Sequence, residues 1–409
     1  MSIQEEAIKL HKLHQGKLEV ASKVPLTNRK DLSLAYTPGV AEPCLQIAKN
    51  KDLSFEYTCR GNMVAVVSDG TRVLGLGDIG PEAAMPVMEG KSVLFKTFGD
   101  VDAVPICLDT KDPDKIIETV KLLQPSFAGI NLEDFSSPKC YEIENRLKEI
   151  MDIPVFHDDQ HGTAIAAVAA TIGALRLVKK SLSAVKIVVN GAGAAGTAIA
   201  KLLVHAGAQN VILLDSKGAL CAGRPGLNQV QAELAEVTNK EKLQGKLSEI
   251  AKGADVLLGV SAPAVFTTDI ISNMNSDAVV LAMANPVPEV MYDVAKAAGA
   301  RVAGTGRSDS PNQVNNVMVF PGVFRGAIDV RARQINETMK LAAAHAIAGL
   351  IQDHELREDY VVPDAFDPRV APAVAAAVAK AAMDSGVARI KIDPETVRAN
   401  AAARIKLGR

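Results

Sequence analysis

The stretch Gly191-Ala192-Gly193-Ala194-Ala195-Gly196 constrains this chain more than any other. The apolar run Val185-Lys186-Ile187-Val188-Val189-Asn190 precedes it. Small residues from Thr197 to His205 follow, and a second apolar run, Val211-Ile212-Leu213-Leu214, ends at Asp215. This is the G-x-G-x-x-G pattern inside a strand–turn–helix–strand unit. Glycines there permit a tight turn and a close backbone approach to a pyrophosphate. The helix start adds unpaired N–H groups and partial positive charge. Asp215, about 20 residues beyond the glycines, stands where ribose hydroxyls are bound. The pattern predicts an α/β fold, a Rossmann-type doubly wound parallel sheet with a dinucleotide cofactor, over a plain tight turn. Apolar runs at 254–259, 278–283 and 301–304 extend that sheet. The turns Ser261-Ala262-Pro263 and Asn285-Pro286 then fall on its cofactor edge.

The first part of the chain repeats the strand–helix rhythm, with strands predicted at 101–106, 127–132 and 153–156 and a helix at 113–123. It reads as a second α/β unit with largely parallel strands. One strand ends in Glu133-Asp134 and another in His157-Asp158-Asp159. Taken singly, each acidic pair reads as a helix N-cap. On successive strands beside a dinucleotide fold they read better as hard oxygen ligands for Mg²⁺ or Mn²⁺. Asp69-Gly70 between the apolar runs 63–67 and 72–76 predicts a hairpin. Lys91 lies in a helical stretch at 86–95, where a lysine usually snorkels to the surface but acts as a base if buried. Residues 3–15 carry an approximate apolar stripe suited to packing or to an oligomer contact, and Tyr36 sits beside a Pro-Gly turn.

Composition narrows the function classes. The 409 residues are 48% hydrophobic and 22% charged, with a net charge of −2, which predicts no pull towards nucleic acid or an anionic membrane. The five cysteines form no C-x-x-C pair and read as free thiols of a reducing cytoplasm. No signal peptide is legible before Leu18, and the apolar stretch 162–175 is short of a bilayer span, so a cytoplasmic protein with one buried helix is expected.

Several long stretches, in order along nearly the whole chain, resemble the malic enzyme family. They are Tyr36-Thr37-Pro38-Gly39-Val40, Asp69 through Asp78, Pro86 through Lys91, Asn131-Leu132-Glu133-Asp134-Phe135, Phe156 through Thr163, Asn285-Pro286, and Asn315-Asn316 through Gly322. The length is similar to the short prokaryotic branch. The resemblance implies that Glu133, Asp134 and Asp159 hold the metal, with Asp158 behind them. Lys91 would be the general base and Tyr36 the general acid. Arg72, Asn285 and Asn315 would bind malate. It further implies a homodimer and discontinuous domains: a substrate and metal domain at 1–160 completed by part of about 316–409, and a Rossmann domain at 161–315.

The implied reaction turns (S)-malate and NAD(P)⁺ into pyruvate, CO₂ and NAD(P)H. Lys91, kept neutral by burial and nearby positive charge, would take the C2 hydroxyl proton, and Tyr36 would protonate C3 after decarboxylation. Oxaloacetate is a second substrate to expect. Asp215 favours NAD, since a 2′-phosphate would meet its charge. Lys217, after Ser216, favours NADP; the balance leans to NAD and both stay open. Two other readings compete: a hydroxy-acid dehydrogenase without decarboxylation, and a catalytically silent nucleotide binder. The first needs no metal-binding carboxylates and the second no intact Tyr36 and Lys91.

Overall fold

A computed structural model describes residues 2–405. Its first sheet has four parallel strands: β1 (Met63–Ser68), β2 (Asp102–Cys107), β3 (Gly129–Leu132) and β4 (Val155–His157), in the order β2-β1-β3-β4. Val64 to Val67 are wholly buried, as a parallel strand covered on both faces requires. The crossovers are the helices Pro81–Gly99, Pro113–Leu123 and Lys139–Ile150. The first two carry proline at the helix start, where its missing N–H costs nothing.

The second sheet holds β5 (Lys186–Asn190), β6 (Asn210–Asp215), β7 (Gly218–Ala219), β8 (Val256–Gly259), β9 (Val279–Ala282) and β10 (Val302–Thr305). Its order is β10-β9-β8-β5-β6-β7, parallel except for β7. The order reverses at β5, so the ligand crevice of such a sheet opens beyond the carboxyl ends of β5 and β8.

The long helix Asp158–Leu177 joins the two sheets. Alanines 164, 166, 167, 169 and 170 are buried all round, and their small side chains let other helices approach closely. It packs on the helices Ala194–His205 and Glu337–Ala348. The chain then returns to the first sheet. Phe320 and Phe324 stack on Phe95 at centroid distances of 4.6 and 5.2 Å, and Phe324 meets Phe156 at 5.8 Å.

Two expectations change. The hairpin around Asp69-Gly70 does not form, because β1 is paired in parallel on both sides, by β2 and β3. Residues 69–72 instead bend onto the loop after β3: Arg72 N–H donates to the Asp134 carbonyl at 2.9 Å, and Ser136 N–H to Thr71 Oγ1 at 3.0 Å. The joining helix, expected to begin near 162, begins at Asp158. The N-terminal helices Ile3–His14, Arg29–Ala35 and Ala41–Lys49 bury no residue. Large apolar side chains such as Ile3, Leu13, Leu26 and Leu34 stay exposed there. No helix among the described residues is long and apolar enough to cross a membrane.

Candidate active site

Neighbouring parallel strands end together, so the ends of β3 and β4 bring their acidic residues to one place. Glu133, Asp134 and Asp159 each offer a carboxylate oxygen, and these oxygens lie within 4.8 Å of one another. Three further bonds fix them. Asn131 Nδ2 donates to Glu133 Oε2 at 2.9 Å, Asp134 N–H donates to Asp159 Oδ2 at 2.8 Å, and Lys91 Nζ stands 2.9 Å from Glu133 Oε1. Asp134 Oδ2 is buried with no hydrogen-bond partner. Burial, then the nearby Asp159, pushes the Asp134 carboxyl up to about 7. Burial raises Glu133 well above the usual carboxylate range, with Lys91 only partly offsetting it. Asp159 is half-buried; burial works to raise its carboxyl, but His157 beside it brings it below its ordinary value. A clustered set of hard oxygen donors, one of them orphaned, fits a divalent cation.

Lys91 reaches this cluster from the middle of the helix Pro81–Gly99 and is 7% exposed. Its Nζ donates to Asp158 Oδ2 at 2.7 Å and lies 4.2 Å from the Phe320 ring centre. Burial alone would lower the ammonium's pKa, but Asp158 and Glu133 outweigh it and hold Lys91 well above its usual value. The nearest side-chain charges are the carboxylates of Asp158 and Glu133. Asp158 is wholly buried, as a group behind the ligands should be, and its second partner is Asn316 Nδ2 at 2.5 Å. Gly162, one helical turn on, makes room for it: a Cβ there would stand 1.9 Å from Asp158 Oδ1.

The remaining substrate-binding candidates are less tightly held. Arg72 and Asn285 are exposed, on loops that face each other: a Cβ on Gly75 would meet Pro286 Cδ at 3.0 Å. Asn315 spends its Oδ1 on Val317 N–H, capping a short 3-10 turn, while its neighbour Asn316 reaches Asp158. Sequence reasoning named Asn316 only within the stretch Asn315 through Gly322 and gave it no role of its own. Tyr36 is 67% exposed at the end of Arg29–Ala35, and its side chain makes no hydrogen bond to the cluster.

At the cofactor edge each glycine has a visible cause. Gly191 has φ +119°, and a Cβ there would meet the Val260 carbonyl at 2.5 Å; one on Gly196 would meet the Gly191 carbonyl at 1.7 Å. Gly193 faces open space, with nothing within 4 Å. Gln231 Nε2 pins the loop through the Ala192 carbonyl at 2.9 Å, and Ala194 and Ala195 open the helix Ala194–His205. Asp215 accepts the Lys217 and Gly218 N–H groups on one oxygen and Arg224 on the other. The Ser216 carbonyl accepts Lys246 Nζ at 3.0 Å, and the Lys217 side chain is exposed. Glu289, wholly buried and missed in the sequence, ties the turns after β8 and β9 together through Ser261 and Ala284 N–H.

Comparison with known proteins shows the family. Residues 15–148 match the family model described as malic enzyme, N-terminal domain, and residues 160–383 match malic enzyme, NAD binding domain. The bifunctional malic/malolactic enzyme of Bacillus subtilis is 60% identical over 398 residues, covering 97% of each chain. The NAD-dependent malic enzyme of Geobacillus stearothermophilus is 54% identical over 374 residues, 91% of this chain and 78% of that one. The crystal structure of malic enzyme from Pyrococcus horikoshii superposes with a TM-score of 0.95 at 47% identity, covering 99% of this chain and 96% of that one. By these matches the chain belongs to the malic enzyme family.

Proposed function

We propose that this protein oxidatively decarboxylates (S)-malate to pyruvate and CO₂, reducing NAD(P)⁺, with Mg²⁺ or Mn²⁺ held by Glu133, Asp134 and Asp159. The observation that carries the reading is the carboxylate cluster with Lys91 buried against it, on a chain of this family. Glu133, Asp134 and Asp159 would hold the cation, which would supply Lewis acidity to the 2-hydroxy acid, and the base form of Lys91 is the neutral amine. Lys91 then takes the C2 hydroxyl proton as hydride leaves C2 for the nicotinamide. Arg72 pairs with a substrate carboxylate, and Asn285 and Asn315 orient the substrate. The C3–C4 bond breaks with release of CO₂, and Tyr36 protonates C3.

In this reading the substrate and metal unit comprises 1–160 with part of about 316–409, and the cofactor unit comprises 161–315. The stacking of Phe320 and Phe324 on Phe95 supports the discontinuous arrangement. The protein acts as a homodimer, because a second copy would cover the apolar residues that the N-terminal helices leave exposed. Tyr36 belongs to that arm. Mixing Tyr36→Phe chains with Lys91→Ala chains asks which copy's cluster it serves: regained activity requires a site shared between copies.

The reading is tested with purified protein, L-malate, Mn²⁺ or Mg²⁺, and NAD⁺ or NADP⁺ in parallel, measuring reduced cofactor, pyruvate, oxaloacetate and lactate. Metal-dependent pyruvate matching the reduced cofactor is expected. Lasting oxaloacetate would overturn the decarboxylation step. The Asp215 charge favours NAD, but Arg224 offsets it beside Lys217, and NADP-dependent relatives stand at 49% identity. We lean to NAD, and the ratio of the two rates decides.

A further inference from the structure

A helix start leaves N–H groups without intrahelical partners. The helix Asp158–Leu177 has its start served from outside. Its N-cap, His157, makes no side-chain capping bond, yet the first turn carries Asp158 and Asp159. The partner comes from another element. Glu144, on Lys139–Ile150 and 2% exposed, accepts the His157 N–H at 3.1 Å. It also accepts Gln160 Nε2 at 3.1 Å and His161 Nε2 at 2.9 Å.

The line continues beyond His161. Lys340, on Glu337–Ala348 and 2% exposed, places Nζ 2.9 Å from His161 Nδ1 and 2.9 Å from Glu337 Oε1. An ammonium only donates, so Nδ1 accepts and Nε2 carries the hydrogen that Glu144 receives. On the other side, Gln160 lies 2.9 Å from His157 Nδ1, and His157 Nε2 stands 3.2 Å from Asp159 Oδ2. A buried polar line thus runs from His157, whose Nε2 makes no hydrogen bond but faces Asp159, through Glu144 and His161 to a helix far along the chain. Buried ionic groups add little stability compared with apolar packing. What they do add is a fixed position for each group they bind.

We propose that Glu144 and Lys340 are positioning residues for the divalent-cation site. Through His161 they fix the first turn of Asp158–Leu177 and so aim the Asp159 carboxylate. The proposal rests on the reading of Glu133, Asp134 and Asp159 as cation ligands. The test measures Mn²⁺ binding to the substrate-free protein by the loss of the free-ion paramagnetic signal, with NAD(P) affinity and melting temperature measured alongside. Asp159→Asn should lose Mn²⁺ binding; binding as in wild type would remove the ligand reading and this proposal with it.

With that control in place, Glu144→Gln and Lys340→Met should each weaken Mn²⁺ binding about tenfold, the usual size for groups behind metal ligands. NAD(P) affinity should stay within about twofold, and Lys340→Arg should recover most of the loss. Wild-type Mn²⁺ binding in both variants would overturn the proposal. So would a parallel loss of Mn²⁺ and NAD(P) binding, which marks general damage to the fold. Glu144→Gln keeps the shape and one acceptor oxygen, so it decides the matter where Lys340→Met does not fold.

Discussion

The two parallel sheets present opposite chemistry at their ligand edges. The edge of β3 and β4 is crowded with charge: Glu133, Asp134, Asp158 and Asp159 gather around Lys91 and His157. Burial and the neighbouring charges together shift the proton affinity of these groups, upwards for Lys91 and His157 against the effect of burial and upwards for Glu133, Asp134 and Asp158 with it. The edge of β5 is almost bare: it offers Gly191, Gly193 and Gly196, a helix start, and Asp215 already engaged by Arg224. In the proposed reading one edge recognises its ligand by side-chain charge, and it carries an orphaned carboxylate oxygen. The other would recognise its ligand by room and backbone N–H groups. The charged edge should therefore fail when a charge is lost, and the bare edge when a methyl is gained.

Loss of charge should give the largest effect. Lys91→Ala removes the ammonium that Glu133 and Asp158 share, and a general base contributes about 10²–10⁴-fold to rate. We expect kcat to fall in that range while malate KM changes by less than about tenfold. Steady-state kinetics at saturating Mn²⁺ checks this, and an unchanged kcat removes Lys91 from the role. The matching change at the bare edge is Gly196→Ala. Its Cβ would lie 1.7 Å from the Gly191 carbonyl, backbone against backbone, so neither side can yield. Cofactor binding should be lost and the melting temperature lowered. Calorimetric titration with NAD⁺ or NADP⁺ at wild-type affinity would contradict that packing.

Gly162→Ala tests whether the contrast is as clean as it looks. It adds a methyl at the charged edge, where the Cβ would meet Asp158 Oδ1 at 1.9 Å. The carboxylate has to swing away, off Lys91 and Asn316. The loss in kcat should be smaller than for Lys91→Ala, with cofactor affinity unchanged. If cofactor affinity falls as well, the joining helix transmits the strain and the two edges are not independent.

Much of this was legible in the sequence, for a local reason. The acidic pairs Glu133-Asp134 and Asp158-Asp159 stood out because strand ends are readable from apolar runs, and parallel strands place such ends together; only the family resemblance chose Asp159 over Asp158. Asp158 and Asp159 also occupy the first turn of a helix, so the capping explanation and the ligand explanation describe the same residues. What failed was non-local. The Asp69-Gly70 turn signal lost to the pairing of β1 with β2 and β3. The sign of the field on Lys91 depends on Asp158, 67 residues away. Glu144 and Lys340 meet through His161 only after three helices pack, and no spacing announces that. Asn315 and Asn316 look alike in a turn, and only the cap geometry separates them.

The smallest effect belongs to Gly193→Ala, and it isolates what the bare edge does. Gly193 has φ −85° and ψ −163°, which an alanine adopts without left-handed strain. A Cβ there meets no protein atom within 4 Å. The substitution should leave the melting temperature unchanged, because nothing in the fold contacts the new methyl. A pyrophosphate approaching the loop would meet it, however. We expect the cofactor Kd to rise about tenfold, a cost of about 1.4 kcal/mol, with Mn²⁺ binding unaffected. Gly196→Ala damages both packing and binding, whereas Gly193→Ala should damage binding alone. Wild-type cofactor affinity in Gly193→Ala would mean that the phosphates do not pass over that open space, and that the bare edge holds its ligand through the helix start and Asp215 instead.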